Sequence, residues 1–191
     1  MCSRFELNAT ARDLAGRFRL AVPPPLPNRA EVRPTDAALV IAAEGGRLAR
    51  WGLEVSWDKR PLINARAETL ASRPSFRRLL GCRILVPATA WWEWRQEVAG
   101  RKTKMRLMPA VPLFALAGLL DGERFTVVTC AAAAAVAALH DRMPALLRPE
   151  DEALWLDPDR PFAEAAAALA PYPGPITATA DDSPPVQGSL F

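Results

Sequence analysis

A chain of 191 residues, half of them hydrophobic and about a quarter charged, has the size and balance of one globular domain with its own interior. No apolar run approaches the ~18 residues that span a bilayer, no basic-then-apolar leader opens the chain, and Cys2, Cys82 and Cys130 stand far apart without a Cys-x-x-Cys pair; a membrane span, a secretory signal, a disulfide framework and a zinc site are therefore set aside, and the cytoplasm is the expected compartment. The formal charge of +3 conceals an asymmetry, because residues 1–106 carry 20 Lys and Arg against 10 Asp and Glu (+10) and the remainder carries 4 against 11 (−7). Most of the cations are arginines, which suit bidentate phosphate contacts; an ordinary solvated surface is the alternative.

In chain order, residues 22–28 (Val-Pro-Pro-Pro-Leu-Pro-Asn) read as a proline-rich loop. Residues 38–42 are an apolar run of strand character, and Gly45-Gly46 reads as a hairpin turn leading into residues 47–53. Residues 64–71 read as a short helix. Strands are expected at 83–86, 89–95, 103–107, 113–119 and 125–129, spaced as in an antiparallel, barrel-like sheet. Residues 131–139 are nearly all alanine, the best helix former. Pro149 followed by Glu150, Asp151 and Glu152 is a helix start, since anions favour the N-terminal dipole. Residues 161–170 give another helix. Residues 171–186 hold five prolines and read as a flexible tail. The fold class is α+β: one domain over 1–170, a barrel-like sheet with peripheral helices, and a tail over 171–191. No internal repeat, Walker loop or Gly-x-Gly-x-x-Gly fingerprint is present.

Four residues could carry chemistry. A Met-Cys terminus normally loses its methionine, leaving an α-amine and a thiol together on Cys2. Their ordinary pKa values lie near about 8 and about 8.5. A 1,2-aminothiol attacks an aldehyde with nitrogen and closes a thiazolidine ring with sulfur, an intramolecular step favoured by proximity; an incidental cysteine at a frayed terminus is the alternative. His140, the single histidine, follows the alanine run, where a helix C-terminus would favour its protonated form, or it merely caps that helix. Glu93 lies in Trp91-Trp92-Glu93-Trp94. In a strand it shares a face with Trp91 and Arg95, where desolvation would make it a general acid or base; a surface glutamate is the alternative. Asn64 and Arg66 lie in residues 62–68, where Asn64 could orient a reacting oxygen and Arg66 grip a phosphate, or the two could be a helix cap and a surface arginine. Trp51 and Trp57 could stack bases, although core packing is the commoner fate of tryptophan.

Taken together and in order, these segments resemble the SOS response-associated peptidase family, which crosslinks to abasic sites. The resemblance runs from Met-Cys-Ser-Arg-Phe (1–5) through Trp-Gly-Leu-Glu-Val-Ser-Trp (51–57), Pro-Leu-Ile-Asn-Ala-Arg-Ala-Glu-Thr (61–69) and residues 82–94. It ends with Thr129 and His-Asp-Arg-Met-Pro (140–144). It implies that Cys2 is the crosslinking nucleophile, that Asn64 holds the sugar and the N-terminal residue, and that Glu93 and His140 move protons as the deoxyribose opens and the imine forms. It also implies a single-stranded DNA partner bearing an abasic site, often at junctions with duplex, held by Arg4, Trp57, Arg66 and Thr129. No metal or organic cofactor is expected, and the chain is expected to be a monomer near the nucleoid. Ser3 stands where the family usually has glycine, and Glu31-Val-Arg-Pro stands where Asn-Val-Ala-Pro is usual.

The end of the chain carries a separate motif. Gln187, Leu190 and Phe191 resemble the Gln-x-x-Leu-Phe peptide by which bacterial proteins dock on the sliding clamp, the two apolar residues filling a pocket at the end of a linker. Two rival functions remain open. One is a cysteine peptidase with Cys2 as nucleophile and His140 as base; the other is a single-strand binding module with no covalent step.

Overall fold

The computed structural model describes residues 2–22, 26, 31–97 and 100–181. In chain order the elements are β1 (Phe5–Glu6), α1 (Ala11–Phe18), β2 (Glu31–Val32), β3 (Ala37–Ala42), β4 (Gly45–Trp51), β5 (Leu53–Val55), β6 (Asp58–Leu62) and β7 (Asn64–Arg66). There follow α2 (Pro74–Arg77), β8 (Arg83–Ala88), β9 (Ala90–Gln96), β10 (Lys102–Pro109), β11 (Phe114–Asp121), β12 (Arg124–Ala131) and α3 (Ala134–Ala137). The last are β13 (Arg142–Pro144), β14 (Leu146–Leu147), α4 (Pro149–Leu156), α5 (Phe162–Ala165) and β15 (Ile176–Ala180).

Strands buried on both faces read as continuous apolar runs rather than alternating ones. β8 is buried along its whole length, and β11 along its first six residues. These two strands pair over Phe114↔Ala88 to Leu119↔Arg83 and form the middle of the larger sheet, whose path is β13-β12-β4-β3-β8-β11-β14. That sheet curls until β12 also meets β11. It is barrel-like without being a closed barrel of continuous ladders, since β3 touches β8 at Ile41↔Leu85 alone and β12 touches β4 over two pairs. The smaller sheet, β15-β10-β9-β1-β2, is antiparallel throughout. The fold is thus α+β with few and short helices, and no helix among the described residues is long and apolar enough to cross a membrane.

The helices sit at the periphery. α1 begins at a capping box, in which the Thr10 hydroxyl accepts from the Asp13 N–H and the Asp13 carboxylate accepts from the Thr10 N–H. Arg17 of α1 then holds Glu152 of α4 through both guanidinium nitrogens. α4 has Pro149 in its first turn and buries Trp155, whose indole N–H donates to the Ile84 carbonyl at 3.0 Å. Buried Arg83 donates to the carbonyls of Trp155, Asp157, Arg160 and Leu80, at and beyond the ends of the helical segments.

Several sequence expectations change. The sheet is mixed, because β12 runs parallel to both β4 and β7. Gly45-Gly46 is inside β4, and the turn falls at Ala43 and Glu44. Residues 64–71 are a strand followed by a short 3-10 turn over Ala67–Thr69, not a helix. The alanine run is helical only at Ala134–Ala137; Ala131 extends β12, and the Ala132 N–H donates to the Asp141 carbonyl, so ladder bonding overrides helix propensity. The segment from 171 is not all tail, since β15 pairs with β10 from Pro109↔Ile176 to Met105↔Ala180. Most of the 22–28 loop, and Gln187, Leu190 and Phe191, lie outside the described residues.

Trp51 joins the layers. It is fully buried, edge-on to Phe5 and stacked on Phe125, and its indole N–H donates to the Ile63 carbonyl at 2.8 Å. Next to it Gly52 has φ +116°, and a Cβ there would lie 2.7 Å from Pro61 Cβ, so only glycine fits this joint between β4 and β5. Trp51→Ala is expected to cost about 3–5 kcal/mol of folding stability, read as a lowered urea midpoint at unchanged slope; a loss below about 1 kcal/mol would contradict this packing.

Candidate active site at the chain's amino end

The seat of β1 places the candidate nucleophile. β1 lies between β9 and β2, with Phe5 opposite both Trp91 and Val32. Because β1 and β9 are antiparallel, the residues before Phe5 run alongside those after Trp91, and the Trp92 N–H donates to the Arg4 carbonyl at 3.1 Å. Cys2 is thereby brought to Glu93. It is fully buried, and its thiol donates to the Arg4 carbonyl at 3.6 Å. From the larger sheet, Asn64 Nδ2 donates to the Cys2 carbonyl at 2.7 Å. Asn64 Oδ1 is also buried and has no hydrogen-bond partner among the described residues.

The electrostatics of this pocket follow from burial. Glu93 is 1% exposed. Burial raises its carboxyl from the usual 4.5 to about 7, while the positive charge of the amino terminus acts in the opposite direction. Burial first, and the charge of Glu93 second, push the Cys2 thiol far above its ordinary value. His140 is shifted down, by burial first and then by the positive amino terminus, so the expectation of a helix end favouring its protonated form is overturned. The helix before it is too short and the imidazole too desolvated for the dipole to dominate.

His140 is held from its backbone neighbours. The Arg142 N–H lies 3.0 Å from His140 Nδ1. The Asp141 carboxylate lies 2.7 Å from the same Nδ1, a contact suited to the protonated ring. Arg142 anchors the loop. Its guanidinium donates to the Thr129 carbonyl at 2.7 Å and to both oxygens of Glu68, at 2.6 and 2.9 Å. Glu68 follows β7, and Thr129 faces Arg66 in the parallel β12–β7 register. One side chain therefore ties the His140 loop to the strand that carries Asn64. Arg142 and Glu68 were not singled out as site residues from the sequence; their presence beside His140 and Asn64 in two short motifs was the available signal.

Asn64 hydrogen-bonds the Cys2 carbonyl, the charge of Glu93 acts on the Cys2 thiol, and Glu93 and His140 both respond to the charge of the amino terminus. Arg4 adjoins them on the smaller sheet and Arg66 is exposed at the end of β7. Trp57 is 64% exposed at the tip of the β5–β6 hairpin. Thr129 is wholly buried, which leaves its side chain no surface for a DNA contact and gives it the task of seating Arg142.

The class so defined is a mixed α+β domain that folds its own amino end inward, burying a cysteine and a glutamate beside a half-buried asparagine and histidine. The chain belongs to the SOS response associated peptidase (SRAP) family, whose model matches residues 1–184. It is similar to the abasic site processing protein YoqW of Bacillus subtilis, 34% identical over 184 residues that cover 83% of this chain and 81% of that one. It is also 33% identical over 177 residues to the abasic site processing protein YedK of Escherichia coli, covering 82% and 79%. A crystal structure of a protein from Bacteroides thetaiotaomicron matches 94% of this chain and 91% of its own with a TM-score of 0.82 and 26% identity.

Glu93 binds its proton more tightly in the folded chain than in the unfolded one. Its ionisation therefore destabilises the fold progressively as pH rises from about 4.5 to about 7, and the full cost persists above that window. Between pH 5 and pH 8 the wild type is expected to lose on the order of 2 kcal/mol more stability than Glu93→Gln in urea unfolding. Parallel losses in the two proteins would show that Glu93 titrates normally.

Proposed function

We propose that the protein captures abasic sites in single-stranded DNA by a covalent bond to Cys2 once Met1 has been removed, shielding the reactive sugar during repair. The observation that carries this reading is the burial of the amino-terminal cysteine against a carboxyl group poised near neutral pH, with Asn64 gripping the cysteine's own carbonyl. The names of the relatives, abasic site processing proteins, fit the same chemistry.

The proposed sequence begins at the sugar. Glu93, whose carboxyl burial raises, gives its proton to the ring oxygen as the C1–O bond breaks and recovers one from the C1 hydroxyl, so that the deoxyribose opens to the aldehyde. The Cys2 amine adds to the aldehyde carbon, forming a carbinolamine. His140, neutral because it is desolvated, takes the proton released from nitrogen, and Asp141 supports the imidazolium. Glu93, having protonated the carbinolamine oxygen, takes the remaining N–H proton as the imidazolium protonates the hydroxyl, so that water leaves and an imine forms. The thiol then adds across the C=N bond, its sulfur bonding to carbon and its proton passing to nitrogen, which closes the thiazolidine. Asn64 Oδ1, a buried acceptor, is placed to take a hydrogen bond from a sugar hydroxyl. Exposed Trp57 offers a stacking face and Arg66 a phosphate contact.

The same electrostatics disfavour the peptidase alternative. A peptidase nucleophile works as a thiolate, with its pKa depressed by a neighbouring cation. Here burial and a neighbouring carboxylate raise the thiol, which favours nitrogen for the first attack, with sulfur following in ring closure.

Met1-free protein mixed with a single-stranded oligonucleotide carrying one abasic site is expected to give a shifted band on a denaturing gel that requires both the abasic site and Cys2, and that Cys2→Ala lacks. Glu93→Gln is expected to slow its formation by about 10²–10⁴-fold and to remove an inflection near pH 7 from the rate profile. Absence of the band with Met1 verified as removed would overturn the covalent reading.

A further inference from the structure

Glu31 is the carboxylate that replaces a neutral amide in the resemblance drawn above, and its surroundings are unlike those of any other acidic group among the described residues. Three cations from three segments converge on it. Arg4, just before β1, donates from Nη1 to Oε1. Arg33, just after β2, donates from Nε to the same oxygen at 2.8 Å. Lys104 of β10 donates from Nζ to Oε2 at 2.6 Å. Burial works against ionisation of Glu31, but the hydrogen bonds from Lys104 and Arg33 and the nearby Arg4 charge prevail and hold its carboxyl below the usual range.

Two of these cations are oriented independently of Glu31. The Arg4 guanidinium lies 5.5 Å from the Trp94 ring, and Lys104 Nζ lies 4.4 Å from the Trp92 ring and 3.1 Å from an Asp181 oxygen. None is sealed off: the side chains of Arg4, Arg33 and Lys104 keep 33%, 39% and 24% of their exposure, whereas Glu31 keeps 15%. Three donors fixed around one oxyanion are a phosphate-binding geometry, and the cluster begins two residues from Cys2.

We infer that Arg4, Arg33 and Lys104 form a phosphodiester site for the bound single strand, and that Glu31 occupies this site in the free protein as an internal anion that an incoming phosphate must displace. This rests on the single-stranded DNA reading above and deepens it: it adds Arg33 and Lys104 to the contact surface and assigns Glu31 the role of weakening backbone affinity. A strand held loosely by its phosphates is then retained by the aldehyde, so the site discriminates lesions from intact DNA more sharply.

The test is equilibrium binding of an intact single-stranded oligonucleotide, without an abasic site, across a salt series. Glu31→Gln is expected to bind about threefold to tenfold more tightly than wild type and to steepen the dependence of log K on log salt by about 0.7 for each phosphate newly neutralised. Adding Arg33→Gln and Lys104→Gln to Glu31→Gln is expected to abolish that gain. Arg33→Gln alone, which leaves Glu31 paired with Arg4 and Lys104, is expected to weaken binding relative to wild type, and this arm decides the question if Glu31→Gln does not fold. Binding by wild type and Glu31→Gln with equal affinity and equal slope, or an Arg33→Gln protein with wild-type affinity, would overturn the phosphate site while leaving the DNA reading intact. Failure of every protein to bind single-stranded DNA at low salt would overturn both.

Discussion

The antiparallel seat of a two-residue strand governs this molecule. Phe5 lies opposite Trp91 on one side and Val32 on the other, and its ring packs on Trp51. That contact draws the beginning of the chain into the interior, where chain ends ordinarily fray. Everything proposed for Cys2 depends on it: the burial of the thiol, the hydrogen bond from Asn64 to the Cys2 carbonyl, and the approach to Glu93. The larger sheet supplies the opposing wall through β12, which carries β7 with Asn64 on one flank and β13, following His140, on the other. Arg142 fastens those two parts together through Thr129 and Glu68.

Burial also arranges the acid–base chemistry. Desolvation is the largest cause in each case: it raises the Glu93 carboxyl and the Cys2 thiol and lowers the His140 imidazolium. Each shift favours the neutral form. A pocket that keeps its groups neutral suits chemistry in which protons are exchanged near pH 7 and an amine, rather than a thiolate, attacks first. The same pocket lies against a charged surface of different character, where Glu31 gathers Arg4, Arg33 and Lys104. Reactivity is sheltered, and the charge available for DNA is partly neutralised from within.

Local apolar runs made much of the frame legible. The predicted strands at 83–86, 113–119 and 125–129 fall within or one residue outside β8, β11 and β12, mostly apolar segments buried on both faces, and the Pro149 start of α4 is where proline and three acidic residues place it. The failures share one cause, which is that tertiary pairing outweighed local preference. Alanines with the highest helix propensity extend β12 and bond to Asp141. Asn64 to Arg66, read as helical, is a strand because β12 offers it a parallel edge. Ile176 to Ala180 follows a cluster of prolines, yet β10 presents an edge that it completes. Asn64, Glu93 and His140 were recognisable as reactive types in company, but the Arg142–Glu68 brace and the triple pairing of Glu31 join residues far apart in sequence. Neither can be read from spacing.

The central claim is that the amine and thiol of Cys2 both end bonded to one sugar carbon, and intact mass measurement of the reacted complex tests it most directly. Met1-free protein joined to an abasic oligonucleotide is predicted to show the summed mass less one water, with no Cys2 thiol left to alkylate and no change on borohydride treatment, as a closed thiazolidine requires. An adduct whose Cys2 thiol still reacts, or that gains hydrogen on reduction as an open imine does, would contradict the account.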